Sequence, residues 1–187
     1  MKPKLRVAFL TGRSDPRTCR LTPVQAAFLA ALPVAAEAKY PLNFPYVPGA
    51  APYVPVPLAL ASVRNGGQFV ASRFAPFRAR HRPAFLAFVE GAERTVFLAG
   101  SCGLEFLNNL ALPASALGRV AAFAYGPVAR RRPACAHVLV GSPHDAISRL
   151  YFKEPDIRVD ATHLDYLTSP AVAAACTAFL ARVTGDA

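Results

Sequence analysis

The sequence predicts an α/β fold: a mostly parallel, doubly wound sheet of about six strands with helices on both faces. Three observations carry this reading. Apolar runs of strand length alternate with helix-forming segments along the 187 residues, the order that produces a parallel sheet with crossover helices. The runs are near-continuous rather than alternating, as in Val96-Phe97-Leu98-Ala99, which is how strands covered on both faces read. The apolar fraction of 53% and the mean hydropathy of +0.29 suit a sheet buried on both sides. At this length one domain spanning 1–187 is expected, with a core large enough to need neither disulfide nor metal.

Each element follows from local chemistry. Leu5 to Thr11 reads as a first buried strand ending at Gly12, and Arg13 to Arg20 is rich in turn formers. Thr22-Pro23 opens a helix, with Thr22 as N-cap and Pro23 as its first residue. Leu42 to Val47 is a short strand weakened by Pro45, and Pro48 to Pro57 is a proline-rich loop with few donors for a ladder. Leu58 to Gly91 is mainly helical, with Asn65-Gly66-Gly67 as an interruption and Pro76 and Pro83 as bends or restarts. A strand through Val96 precedes a helix over Cys102 to Leu112 that stops at Pro113. Arg119 to Tyr125 and Ala136 to Gly141 are apolar strands, and Ile157 to Asp160 is a short one. The last helix runs from about Pro170 to Val183 with Ser169 as its cap.

Composition narrows the function classes. The longest apolar run, Ala26 to Ala36, is too short for a membrane span and contains Pro33. Val7 to Leu10 is too short for a signal-peptide core, so a cytoplasmic protein is expected. Cys19, Cys102, Cys135 and Cys176 are scattered, which argues for thiols in a reducing compartment. The four histidines have no ligand spacing, so no metal and no other cofactor is expected. The net charge of +10 favours acidic partners. Its densest run, Arg130-Arg131-Arg132, reads as a solvated loop, and with no helix-turn-helix, zinc finger or aromatic platform no nucleic acid is expected.

The chemistry centres on Thr95-Val96-Phe97-Leu98-Ala99-Gly100-Ser101-Cys102-Gly103-Leu104-Glu105. A strand stops at a small-x-Ser-x-small turn and a helix follows, the order a nucleophile elbow needs. Small flanking residues let strand and helix approach closely. Ala99 and Gly103 fill the two small positions if Ser101 is the nucleophile, whereas Cys102 would put Leu104 in the second. The frame favours Ser101. A serine hydroxyl needs a base, usually a histidine held by a carboxylate. Asp145 and His163 also lie just past the ends of strands, where ligands bind in such sheets.

With these segments in place, the chain resembles the α/β-hydrolase superfamily. Ala99-Gly100-Ser101-Cys102-Gly103 is similar to its elbow, Val138 to Asp145 to its acid-bearing strand and loop, and Thr162 to Leu167 to its histidine segment. The resemblance implies Ser101 as nucleophile, Asp145 as acid and His163 as base, in the superfamily's chain order. It also implies an oxyanion hole made by the backbone N–H of Cys102 and one from the loop after the first strand, around Gly12 or Arg13. The chain departs from the pattern in its Ala99, its short length, the lack of leading antiparallel strands and the short Val128 to Ala134 connection. A compact enzyme without a lid is implied.

Other residues compete for the same roles. Asp160, Asp165 and Asp156 are alternative acids, and Cys102 is an alternative nucleophile. His137 reads as a core residue within a strand, His144 as a loop neighbour of Asp145 and His81 as a surface residue between arginines. Glu105 is either a buried network member or a solvated side chain. The leading expectation is a serine hydrolase that cleaves an ester or thioester through an acyl-enzyme. The basic surface leans towards a thioester on acyl carrier protein or coenzyme A. The alternative is a catalytically inactive binding protein of the same fold.

Overall fold

The computed structural model describes residues 2–44 and 51–185. Its sheet has six strands, all parallel: β1 (Leu5–Leu10), β2 (Lys39–Asn43), β3 (Arg94–Gly100), β4 (Val120–Tyr125), β5 (Ala136–Gly141) and β6 (Ile157–Arg158). They lie in the order β2-β1-β3-β4-β5-β6. The chain leaves β1 towards one edge and returns to β3 on β1's other side. This reversal opens a crevice at the carboxyl ends of β1 and β3.

Alternate residues of each strand feed two cores, as a period of two requires. Ala8, Leu10, Phe97, Ala99, Ala122 and Leu139 face one layer. That layer comprises α2 (Leu58–Ala71), α3 (Ala75–Glu90), α4 (Gly103–Asn109) and α5 (Ala114–Leu117), which contribute Phe69, Phe85, Phe106 and Ala116 among others. Val7, Phe9, Val96, Leu98, Phe123 and Val140 face α1 (Pro23–Ala31) and α7 (Pro170–Thr184), which supply Phe28, Leu29, Val172 and Phe179. A one-turn helix, α6 (Ala146–Arg149), follows β5. Among the described residues no helix is long and apolar enough to cross a membrane.

Helix α1 starts where the sequence places it. The Thr22 hydroxyl accepts from the Gln25 N–H at 3.2 Å, and the Gln25 side chain accepts from the Thr22 N–H at 3.0 Å, a reciprocal cap. Several boundaries differ from expectation. Strand β2 begins three residues before Leu42 and carries Pro41, which an edge strand tolerates; the expected continuation over 45–47 and the start of the proline-rich loop, 48–50, lie outside the described residues. Helix α2 runs straight through Asn65-Gly66-Gly67. Both glycines face open space, while Arg64, Asn65 and Gln68 bond to residues 13 and 14 and hold the helix in place. Pro76 starts α3, but Pro83 does not end it, because Phe85 and Val89 beyond it are fully buried.

The elbow helix is also shorter than expected. Ala111 adopts φ 49°, a left-handed residue that closes α4 before Leu112. Strand β6 is reduced to two residues, and Ser169 stands at the start of α7 without bonding a helix N–H through its side chain. Pro170, at the first helical position, removes one of the N–H groups that have no acceptor within the helix.

Candidate active site

The site forms where β3 gives way to α4. Ser101 holds φ 49°, a region that costs a residue with a side chain of order 1–3 kcal/mol and recurs at functional turns. The turn is tied down on both sides. The Ser101 N–H donates to the Tyr125 carbonyl at 3.3 Å, and its carbonyl accepts from the Val128 N–H at 3.0 Å. A side chain at Gly103 would run into the backbone of Leu10 and Thr11, which is why the second small position is glycine. Gly100 is equally confined, because the Tyr125 phenol lies over it.

Three side chains from three loops meet here. His163 Nε2 lies 3.1 Å from Ser101 Oγ, and His163 Nδ1 lies 2.9 Å from Asp145 Oδ2. Asp145 is almost wholly buried, and its other oxygen accepts the N–H groups of Ile147 and Ser148 at 3.1 and 3.0 Å. It thus caps α6 and faces His163 at once. Burial alone would push its carboxyl up. Donors from His163, Ser148 and Tyr166, together with the His163 charge, outweigh that and hold it below the ordinary carboxylate range. An ionised Asp145 favours the neutral tautomer with the proton at Nδ1, in which Nε2 can accept from Ser101.

Tyr166 is a member of this cluster that sequence reasoning missed. Its hydroxyl donates to Asp145 Oδ2 at 3.1 Å, the same oxygen that His163 approaches. It is buried and tethers the histidine loop to the acid loop. The only sequence signal is its place three residues after His163.

Cys102 is buried, and burial pushes its thiol up to about 12. The backbone N–H groups of Cys102 and Gly12 pull the other way without overcoming it. A thiol protonated at neutral pH is a weak nucleophile, which leaves Ser101 as the candidate nucleophile at the turn. Cys102 is the N-cap of α4, and an N–H there has no acceptor within its own helix.

Arg13 departs from its expected role. Its N–H donates to Gln68 Oε1 at 2.9 Å, and its carbonyl accepts from Gln68 Nε2 at 2.7 Å. The primary amide of Gln68 matches one backbone unit of the loop with two bonds, so of the two expected second oxyanion donors, Gly12 and Arg13, the Arg13 N–H is already engaged.

The remaining candidates lie in structural networks. Glu105 is buried, with Arg130 Nε at 2.8 Å, the Arg130 N–H at 3.0 Å and Arg73 Nε at 3.5 Å. Asp156 takes Arg132 at 2.8 Å and the Leu139 N–H at 2.8 Å. Arg131 donates to the Asn108 carbonyl, so the arginine run Arg130 to Arg132 clasps neighbouring segments and is not purely a solvated loop. Asp165 accepts from Thr162 in its own turn, and Asp160 pairs with exposed His144 at 3.6 Å. His137 bonds the Cys135 carbonyl at 2.8 Å, at the opposite end of β5 from Asp145. His81 is half-buried against the Phe77 ring, 4.6 Å away between centroids.

Ser101 and His163 open onto a cleft of about 680 Å³, within the range of small-molecule sites. Val24, Tyr53, Val56, Leu58, Leu164 and Leu167 supply an apolar wall. Leu58 and Leu164 are 61% and 69% exposed, so these two side chains of the wall face solvent. Asp15, also at the cleft, is taken up by Arg17, whose Nε and Nη2 donate to it at 3.0 and 2.9 Å. Among the described residues the four cysteines are buried thiols without a disulfide. No protein-family model matches the chain, and no curated protein shows significant similarity to it.

Proposed function

We propose that the protein is a serine hydrolase that cleaves an ester or thioester through an acyl-enzyme, with Ser101, His163 and Asp145 as its triad. The observation that carries this reading is the continuous bonding from Ser101 Oγ through both ring nitrogens of His163 to Asp145 Oδ2, at 3.1 and 2.9 Å. In the first half-reaction Ser101 Oγ attacks the acyl carbonyl carbon while its proton passes to His163 Nε2. The bond to the leaving sulfur or oxygen then breaks, and that atom takes the proton from Nε2. In the second half-reaction Nε2 removes a proton from water, the hydroxide attacks the acyl carbon, and Ser101 Oγ departs with the proton. Asp145 keeps Nδ1 protonated and stabilises the imidazolium between these transfers.

The strand order, the strand–turn–helix at Ser101 and the chain order Ser, Asp, His all support membership of the α/β-hydrolase superfamily. The apolar cleft wall supports an apolar acyl group, and the net charge of +10 supports a thioester on an anionic carrier. The buried thiols suit a cytoplasmic setting. The Cys102 N–H is the oxyanion donor best placed by the turn; each such donor is worth roughly 3 kcal/mol.

One observation favours the second reading, a catalytically inactive binding protein: the engagement of the Arg13 N–H by Gln68. The two are separated by treating the protein with a fluorophosphonate probe and assaying short p-nitrophenyl esters and acyl-coenzyme A. Labelling at Ser101 with turnover supports the hydrolase. The absence of both labelling and turnover refutes it.

A further inference from the structure

Eleven large apolar side chains are exposed among the described residues; six of them fall between 54 and 74, and α4, α5 and α7 carry none. Leu58 stands at the mouth of the Ser101 cleft, where exposed Val24 and Leu164 join it from two other segments. The exposed apolar surface is thus gathered around the cleft and along α2.

Helix α2 has two unlike faces. Ala61 and Asn65 line the cleft, Gln68 bonds the loop at Arg13, and Phe69 is buried. Spacings of three and seven put Leu60, Val63 and Val70 together on the opposite side. These three are 42, 73 and 48% exposed, and Phe74 continues the stripe past the helix end at 59%. A helix of a folded domain turns its apolar stripe to the core. Apolar side chains grouped on the outside, beside a candidate active site, mark an interaction face. Leu58, in the first turn of the same helix, brings that face to the mouth of the cleft.

The charge beside the stripe is of one sign. Between Glu37 and Glu90 the chain has no carboxylate and six cations. Two of these are occupied elsewhere: Arg64 lies in the field of Asp15, and Arg73 meets Glu105 at 3.5 Å. Arg78 and Arg80 are exposed in the first two turns of α3, just beyond Phe74, and form no ion pair among the described residues. A second copy of the chain would set the same cations against them, so the face repels its own kind. The net charge of +10 suits an anionic carrier and anionic headgroups alike. The outward aliphatic stripe favours the headgroups, because apolar side chains flanked by cations seat a protein at the boundary of an anionic bilayer.

We propose that α2 and the start of α3 seat on an anionic lipid surface, so that the mouth of the Ser101 cleft lies at that surface and takes an acyl ester presented there. The seating stands on the surface chemistry alone; the substrate class rests on the hydrolase reading above.

The test is binding of the purified protein to vesicles of phosphatidylcholine alone and of phosphatidylcholine with one-third phosphatidylglycerol, read by sedimentation. Binding to the anionic vesicles should be at least tenfold tighter, and it should weaken as salt is raised. Val63→Asp combined with Phe74→Asp, both at exposed sites outside the cleft, should weaken it at least tenfold. The double variant should keep its rate on soluble p-nitrophenyl acetate within twofold, which shows that it is folded. Arg80→Glu should weaken binding to the anionic vesicles several-fold and leave the neutral ones unchanged. No vesicle binding at low salt overturns the seating, and so does binding that the double variant leaves intact. A dimer that Val63→Asp dissociates, or a complex with acyl carrier protein that it weakens, in a protein that ignores vesicles would give the face another occupant and overturn the lipid. A long-chain p-nitrophenyl ester dispersed in the vesicles reads the substrate. Its turnover should be several-fold faster in the anionic vesicles, and the double variant should lose that excess. Equal turnover in both vesicles overturns the substrate class, whereas vesicle binding without turnover of either ester leaves the seating standing and counts against the hydrolase.

Discussion

Gly103 is the position where a single methyl group should do most damage to the site. A Cβ built there would lie 2.5 Å from the Leu10 carbonyl carbon and 3.1 Å from the Thr11 nitrogen, and closer still to the Leu10 oxygen. Carbon atoms in good contact stand about 3.5 Å or more apart. Gly103→Ala must therefore drive the start of α4 and the end of β1 apart by at least about 1 Å. Both partners are backbone, so no side chain can rotate to relieve the contact. Overpacking of this kind costs about 1–3 kcal/mol. The displaced segment contains Cys102 and adjoins Ser101, and a misplacement of that size costs roughly 10²-fold in rate. Two measurements on the purified variant check this: the denaturant midpoint and the rate of Ser101 labelling by a fluorophosphonate. A variant within about 0.5 kcal/mol in stability and threefold in labelling would refute the close approach on which the elbow depends.

Asp145→Asn should lower kcat by about 10³–10⁴-fold, because an amide does not hold Nδ1 protonated; a loss under tenfold with normal folding would argue against its role. Stability should fall in acid. Asp15, held at about 2 by Arg17, together with Glu105 and Asp145, all lie below their ordinary values in the folded protein. Each stabilises the fold fully above its unfolded value, near 4, and loses that contribution as pH falls through the folded one. Denaturant midpoints should thus decline from roughly pH 5 towards pH 2, and a flat profile contradicts the assigned contacts. Along a series of p-nitrophenyl esters, kcat/KM should rise with acyl length, by up to about fourfold per methylene at ~0.8 kcal/mol each. Leu58→Ser should flatten that rise, and a series that favours acetate would remove the apolar wall from substrate binding.

Much of the fold was legible because it rests on local rules. The helix start at Thr22-Pro23 is readable from local sequence alone, and so is a strand that stops at the Ser101 turn and restarts as a helix. Other features depend on partners distant in the chain. The two glycines of α2 look like a break until Gln68, Asn65 and Arg64 are seen holding the loop at 13 and 14. The confinement of Gly100 comes from the Tyr125 ring, 25 residues on in the chain, which fills the space above it. Arg13 reads as an oxyanion donor until an amide 55 residues away claims its N–H.

By itself the sequence determined the fold class, the turn at Ser101 and the three residues that could form a relay, because period, turn chemistry and chain order are properties of neighbours. Only the tertiary structure decided that Ser101, His163 and Asp145 lie within hydrogen-bond reach, that Tyr166 shares the acid, and that burial pushes the Cys102 thiol upwards. Those outcomes depend on distances between segments tens of residues apart and on the water their packing excludes.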